Sequence, residues 1–315
     1  MIYISHNLRE VFKIGDRVTV LKDGKKIRTH RIEEITEDVL ITEMIGRPAS
    51  ALYQKDAATS EFDTGDRHLR VEHYSRKGAV EDVSFNLRKG EIFGIGGMVG
   101  SGRTELARLL FGLDKKDSGK VIYRGQDITP RSPSEAIRHG VGYLTEDRKA
   151  SGLIMKRPIF ENISVVELGK KMRMFIPLRA EKAHTEEMSG KLNIVTPSIK
   201  QLVRNLSGGN QQKVVLAKWM FADADILIFD EPTVGIDIGA KSEIYHLMYE
   251  LAESGKIIMM ISSDMPELIS VSDRVGIMRA GRLVAILEKD MITEENILKY
   301  SIGFEERNVT HAQTA

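Results

Sequence analysis

From Gly96 to Leu106 the sequence reads GGMVGSGRTEL. Gly97, a four-residue gap, Gly102, a basic residue and Thr104 make a pattern that cradles phosphate groups. Backbone N–H groups of such a loop, with the helix N-terminus behind it, attract anions, and the basic side chain reaches the outer phosphates. That basic residue is Arg103, where the pattern asks for lysine. A second chemical group closes the stretch DILIFDEP. There Asp230 can hold Mg²⁺ through water, and Glu231 can orient or deprotonate a water attacking a phosphoanhydride. Between the two, in NLSGGNQQKVVLAKWMF, Ser207 precedes Gly208 and Gly209. Serine is an N-cap residue, and the bare glycines leave room for a second anion site facing another domain or subunit.

These groups need particular elements to hold them. VSFNLRKGEIFGIGG alternates and then runs apolar, as a strand does, and ends in the glycines of the phosphate pattern. TELARLLFGL then sets Leu106, Leu109 and Leu110 at helical spacing, so the loop lies between a buried strand and a helix start. ILIFD reads as a strand that delivers Asp230 and Glu231. Val214, Val215, Lys218 and Trp219 continue a helix from the Ser207 cap. KMRMFIPLRAEKAHTEEMSGKL, rich in charge with scattered methionine, reads as a solvated helix face.

Bulk properties set limits. The 315 residues are 42% hydrophobic, enough for a proper core. Lys and Arg number 46 against 45 Asp and Glu, a balance that points away from a nucleic-acid partner. The absence of cysteine excludes disulfides and thiolate metal sites and fits a reducing compartment. Apolar runs such as IIMMI are too short to cross a bilayer, and MIYISHNLREVFK lacks the pattern of a signal peptide. The expectation is a soluble, intracellular chain.

The chain also repeats itself. ISHNLREVFKIGDRVTVLKDGK from Ile4 aligns without gaps on ISSDMPELISVSDRVGIMRAGR from Ile261. The same offset pairs Glu10 with Glu267, Asp16 with Asp273, Gly24 with Gly281 and Ile45-Gly46 with Ile302-Gly303. Residues 2–46 are therefore expected to duplicate residues 259–303. The layout expected is a C-terminal remnant of a first domain at 1–48, a polar linker at 49–67, a second domain at 68–303 and a polar tail at 304–315.

The order of phosphate loop, LSGGNQQ, ILIFDEP, VGID and ISSD resembles the nucleotide-binding domain of ATP-binding cassette (ABC) transporters, over residues 68–303. GRTEL, EDRK at Glu146 to Lys149, LSGGNQQK and ISSDMPE further resemble the second cassette of tandem bacterial carbohydrate importers of the ribose, xylose and galactose type. The resemblance implies an α/β fold: a three-layer P-loop NTPase core with an antiparallel β subdomain and a helical subdomain at about 150–212. It implies ATP and Mg²⁺ as ligands. Its partners would be a second cassette in a head-to-tail pair, membrane permease subunits and, indirectly, a periplasmic sugar-binding protein. The location implied is peripheral, on the cytoplasmic face of the inner membrane.

Carried onto this chain, the resemblance makes Tyr74 the aromatic that stacks on adenine. Gly97, Gly100, Ser101, Gly102, Arg103 and Thr104 become the phosphate loop, with Thr104 and Asp230 at the metal. Glu146 takes the place of a glutamine that touches the metal and relays to the membrane subunits. Ser207, Gly208 and Gly209 are the signature, Glu231 the water-orienting acid, and Asp237 part of a loop crossing the dimer interface. Ser263 stands where the family has a histidine on the γ-phosphate, and His6 in the first copy keeps that histidine. Arg103, Glu146 and Ser263 thus depart from the family. The expectation is a degenerate site that binds ATP with slow or absent turnover, while Ser207 to Gly209 and His6 complete an intact site on a first domain. Nucleoside importers and soluble tandem cassettes are the alternatives; Arg-Thr-Glu after the phosphate loop and the short polar linker weigh against them.

Overall fold

The computed structural model describes residues 1–4, 8–22, 24–45, 69–171 and 178–303. His6, the linker at 49–67 and the tail at 304–315 lie outside these described residues.

The chain opens with α1 (Leu8–Ile14), a hairpin of β1 (Arg17–Lys22) and β2 (Lys25–Arg31), and α2 (Glu37–Ile45). Leu8, Val20, Ile35 and Leu40 form a small core of their own. The second unit begins with β3 (Leu69–Arg76) and β4 (Val80–Leu87), followed by β5 (Ile92–Gly97) and α3 (Arg103–Leu110). Then come β6 (Ser118–Tyr123), β7 (Gln126–Asp127), α4 (Pro133–Arg138) and β8 (Val141–Leu144). α5 (Ile159–Lys171), α6 (Leu178–Lys191) and α7 (Gly208–Phe221) make a helical region. β9 (Ile226–Asp230), α8 (Ile238–Glu253), β10 (Ile257–Ile261) and α9 (Met265–Val271) lead to β11 (Arg274–Arg279), β12 (Arg282–Glu288) and α10 (Glu294–Ile302).

Six strands form the central sheet in the order β12-β11-β5-β10-β9-β8, parallel except for β12. A separate antiparallel sheet runs β4-β3-β6-β7. Because β5, β9 and β10 are covered on both faces, they read as continuous apolar runs: Ile92 to Ile95, ILIF and IIMMI are all buried. Helices α3, α8 and α9 pack on β5, and α4 and α7 on β8. The arrangement is the α/β core with antiparallel and helical additions that the motifs implied.

The stretch read as one strand, VSFNLRKGEIFGIGG, is two strands in two sheets. The break falls at Arg88 to Glu91, where the Glu91 carboxylate accepts from the Arg88 backbone N–H at 2.8 Å and Gly90 takes φ 81°. Glu91 is then locked into a buried ion pair with Arg274 on β11, which also donates to the Asn86 carbonyl at 2.9 Å. Helix α6 is not solvated all round either. Glu181, Thr185 and Ser189, one turn apart, are buried, and Lys182 lies 5.2 Å from the ring of Phe160 on α5.

The repeat has a structural counterpart. α1, β1, β2 and α2 start and stop at positions matching α9, β11, β12 and α10 under the offset that carries Ile4 onto Ile261. The hairpin irregularity between Val20 and Leu21 recurs between Ile277 and Met278.

Candidate functional site

β5 ends at Gly97 and α3 begins at Arg103, so residues 97–102 form the loop that the glycine spacing predicts. Two of its glycines are there for steric reasons. Gly97 has φ 147°, and a Cβ there would stand 2.3 Å from the Met278 carbonyl oxygen. Gly102 has φ 100°, and its Cβ would meet the Ala79 carbonyl at 2.8 Å. Behind the loop Leu106, Leu109 and Leu110 are buried and fix the helix. The first turn of such a helix leaves backbone N–H groups without intrahelical partners. Ser101 in the same loop is buried, with an Oγ that has no hydrogen-bond partner. A buried hydroxyl without a partner inside a cradle of left-handed glycines fits a phosphate ligand.

The acidic side of the site comes from β9. Asp230 is fully buried; its Oδ1 accepts from Thr104 Oγ1 at 3.2 Å and its Oδ2 from the Tyr143 hydroxyl at 2.7 Å. Burial pushes its carboxyl up to about 6, against the two hydroxyl bonds, with Glu146 and Glu231 adding to the rise. The same burial, together with Asp230, holds the Tyr143 phenol protonated as a donor. Thr104 and Asp230 present adjacent hard oxygens, the donor type that Mg²⁺ takes, so the residues fit the expected ion.

Glu231 follows in a left-handed conformation, φ 49°, uncommon for a residue with a side chain. Its Oε2 accepts from Ser263 Oγ at 3.1 Å, and its Oε1 lies 3.9 Å from the Arg103 guanidinium. Arg103 itself is buried and donates to the Ser262 backbone carbonyl at 2.6 Å. The cation at the start of α3 is therefore engaged with the Glu231 carboxylate and with the backbone beside Ser263. Arginine's planar fork points separate nitrogens at the two partners, Nη1 at the Ser262 carbonyl and Nη2 at Glu231.

A cleft of about 670 Å³ opens beside the loop, lined by Lys77, Gly78, Ala79, Gly100, Gly102 and Gly281 among others. Among the described residues, no aromatic side chain lines it. Tyr74 corrects the sequence expectation. It pairs with Val83 within the β sheet, is 0% exposed, and donates its hydroxyl to the Leu109 carbonyl at 3.3 Å. A ring enclosed on both faces has none free to stack on a base.

The remaining predicted residues gather elsewhere. Ser207 caps α7 by accepting from the Asn210 backbone N–H at 3.4 Å, and is exposed. Asp237 caps α8, accepting from the Ala240 N–H at 2.9 Å. Gly208 and Gly209 let these two helix starts meet: a Cβ on Gly209 would stand 2.5 Å from Ala240 Cβ, and one on Gly208 2.9 Å from the Gly235 carbonyl. Glu146 is exposed on the segment after β8. Among the described residues, no hydrogen bond or ion pair joins Ser207, Gly208, Gly209 or Asp237 to the phosphate loop. Sequence reasoning missed Tyr143, Thr233 and Glu267. Tyr143 looked like any strand residue. Thr233, the residue after the run DILIFDEP, and Glu267, in ISSDMPE, are joined by a 3.1 Å hydrogen bond that only folding creates.

Comparison with known proteins agrees with this geometry. The sequence profile of the family described as ABC transporter matches residues 80–234. Ribose import ATP-binding protein RbsA 3 of Rubrobacter xylanophilus is 46% identical over 306 residues, spanning 97% of this chain and 61% of that protein. Ribose import ATP-binding protein RbsA of Clostridium tetani is 45% identical, spanning 96% of this chain and 60% of that one. The chain thus spans about three-fifths of the length of these curated relatives. Among solved structures, MJ1267, an ATP-binding cassette of an ABC transporter in its ADP conformation, superposes with a TM-score of 0.63 at 22% identity, covering 75% of this chain and 98% of that one. Fold and site define an ATP-binding cassette of the P-loop class. Residues 80–234 belong to the ABC transporter family.

Proposed function

We propose that this chain is the ATP-binding and ATPase part of an importer for a monosaccharide of the ribose or galactose kind, the substrates in the names of its relatives. It would work at the cytoplasmic face of the membrane with permease subunits and, through them, a sugar-binding protein. The described helices include none long and apolar enough to cross a membrane, in keeping with membrane passage residing in other subunits.

Within that role the cassette is asymmetric. MgATP binds at the loop of Gly97 to Thr104, where Ser101 Oγ and the α3 N-terminus meet the phosphates and Thr104 and Asp230 hold Mg²⁺. The ion supplies charge neutralisation on the phosphate oxygens. Turnover there is slow or absent. The observation that carries this reading is the contact of Arg103 with Glu231 and the Ser262 carbonyl, together with the Ser263 bond to Glu231. The guanidinium and the Ser263 hydroxyl face the Glu231 oxygens that an attacking water would use, and serine does not reach where a histidine side chain would. Ser207 to Gly209 and His6 then belong to a hydrolysing site whose phosphate loop lies on a homologous first cassette, with residues 1–48 a piece of that cassette. Matching element bounds in the two copies support this. So does exposure: Ile4 and Leu21 are 92% and 69% exposed, while their counterparts Ile261 and Met278 are 1% and 0%.

The test is nucleotide binding and phosphate release by the purified chain. Binding of MgATP without turnover is the expected result; turnover comparable to an intact cassette would overturn the degenerate assignment.

A further inference from the structure

After Glu146 the chain makes one wide turn, Arg148–Gly152, of the rare π type, a form frequent at functional sites. Asp147 builds it by accepting from the Lys149 and Ala150 backbone N–H groups, both at 3.0 Å. Two cations fasten the turn to its neighbours, and both bond backbone carbonyls rather than carboxylates. Lys218 on α7, buried, donates to the Gly152 carbonyl at 2.7 Å. Arg148 spreads its guanidinium over the loop after DEPT, donating through Nη1 to the Val234 carbonyl at 2.9 Å and through Nη2 to the Gly235 carbonyl at 3.2 Å. The same Nη2 occupies the space a Cβ on Gly208 would enter, 2.8 Å away. One planar group therefore touches three segments at once: the turn after Glu146, the loop that leads to Asp237, and the first residue of α7.

We propose that Arg148 is a positioning residue that holds the Asp237 loop and the signature Ser207 to Gly209 in fixed register with the segment carrying Glu146. It rests on the reading of Ser207 to Gly209 given under Proposed function. Displacement of the Glu146 segment moves the guanidinium, and the guanidinium carries Val234, Gly235 and the start of α7 with it. Nothing else bonds to these two carbonyls among the side-chain contacts of the described residues. A side chain at Gly208 would crowd both the Arg148 guanidinium and the Gly235 carbonyl that it bonds. Lysine cannot substitute at 148, because one ammonium cannot span two carbonyls in a fixed fork.

The full chain is followed by backbone amide exchange and mass spectrometry in the wild type, Arg148→Ala, Arg148→Lys, Gly208→Ala and the Arg148→Ala/Gly208→Ala pair. Exchange at residues 234–240 and 207–211 should accelerate about tenfold or more in Arg148→Ala, with β5, β9 and β10 unchanged. Arg148→Lys should recover little of this, and millimolar guanidinium added to Arg148→Ala should slow both segments again. Gly208→Ala should accelerate the same two segments, and the double variant at least as much as either single one, because a Cβ at 208 meets both the Arg148 guanidinium and the Gly235 carbonyl. Faster exchange confined to Arg148–Gly152 or spread evenly over all strands, or Arg148→Ala exchange at the wild-type rate in both segments, overturns the proposal. If Arg148→Ala does not fold, Arg148→Lys gives the same reading with charge and stem retained. Titration with a fluorescent ATP analogue runs alongside: a wild-type chain that fails to bind it sinks the functional reading and leaves the exchange result standing.

Discussion

Glu267→Gln should flatten the pH dependence of stability. Glu267 lies in α9 with 1% exposure; its carboxylate accepts from the Ser262 hydroxyl and from Thr233 Oγ1, the latter at 3.1 Å. Burial lifts its pKa from 4.5 to about 7; the Ser262 and Thr233 bonds and Lys241 oppose the rise, and Asp264 adds to it. Between those two values the folded chain keeps a proton that the unfolded chain has lost. Stability therefore falls as pH rises through this window, and the full penalty stands above pH 7. A shift of roughly two and a half units corresponds to about 3 kcal/mol. For a domain of this size that is a change of roughly 6–12 °C in melting temperature. Glutamine keeps the shape and cannot ionise. The difference in unfolding free energy between Glu267→Gln and wild type should grow by about 3 kcal/mol from pH 5 to pH 8, measured by urea melts on the intact chain. Asp230 contributes its own slope below about pH 6, but to both proteins, so it drops out of the difference. Parallel stability curves for the two proteins would refute the reasoning, because they would mean that the buried carboxyl titrates alike folded and unfolded.

Two other perturbations probe the site and its frame. Tyr74→Leu, which removes the ring and its bond to the Leu109 carbonyl, should cost about 1–3 kcal/mol of stability, yet leave the affinity for MgATP unchanged in a nucleotide titration. A large loss of affinity would restore Tyr74 to the base-binding role that its burial denies. Glu91→Ala should cost about 3–5 kcal/mol in denaturant melts, because it strands the buried Arg274 guanidinium between β4, β5 and β11.

Short-range chemistry was readable from the residues alone. The glycine spacing before Arg103, the Ser207 cap and the apolar run into Asp230 each lie within a dozen residues, and each formed as its pattern dictates. The repeat was readable for the same reason: both copies use the same local pattern of helix, hairpin and helix. Tyr74 was not, because a strand residue's face depends on register. The ladders of β3 are irregular between Val71 and Tyr74, and that irregularity decides which side chains turn inward.

What the sequence determined by itself is the inventory: a phosphate loop with arginine in place of lysine, a carboxylate pair at a strand end, a glycine-opened helix and a serine where a histidine belongs. Periodicity and spacing carry the loop, the carboxylates and the helix start, since they are properties of neighbours along the chain; that Ser263 replaces a histidine is what the family resemblance implies. Only the tertiary structure decided what the odd residues do. Arg103 meets the Ser262 carbonyl and Glu231, and Arg148 meets Val234, Gly235 and Gly208. Those partners are far away in sequence and come together because parallel strands place their C-terminal ends side by side. A cation's role follows from the partners that share its burial, and no local pattern encodes them.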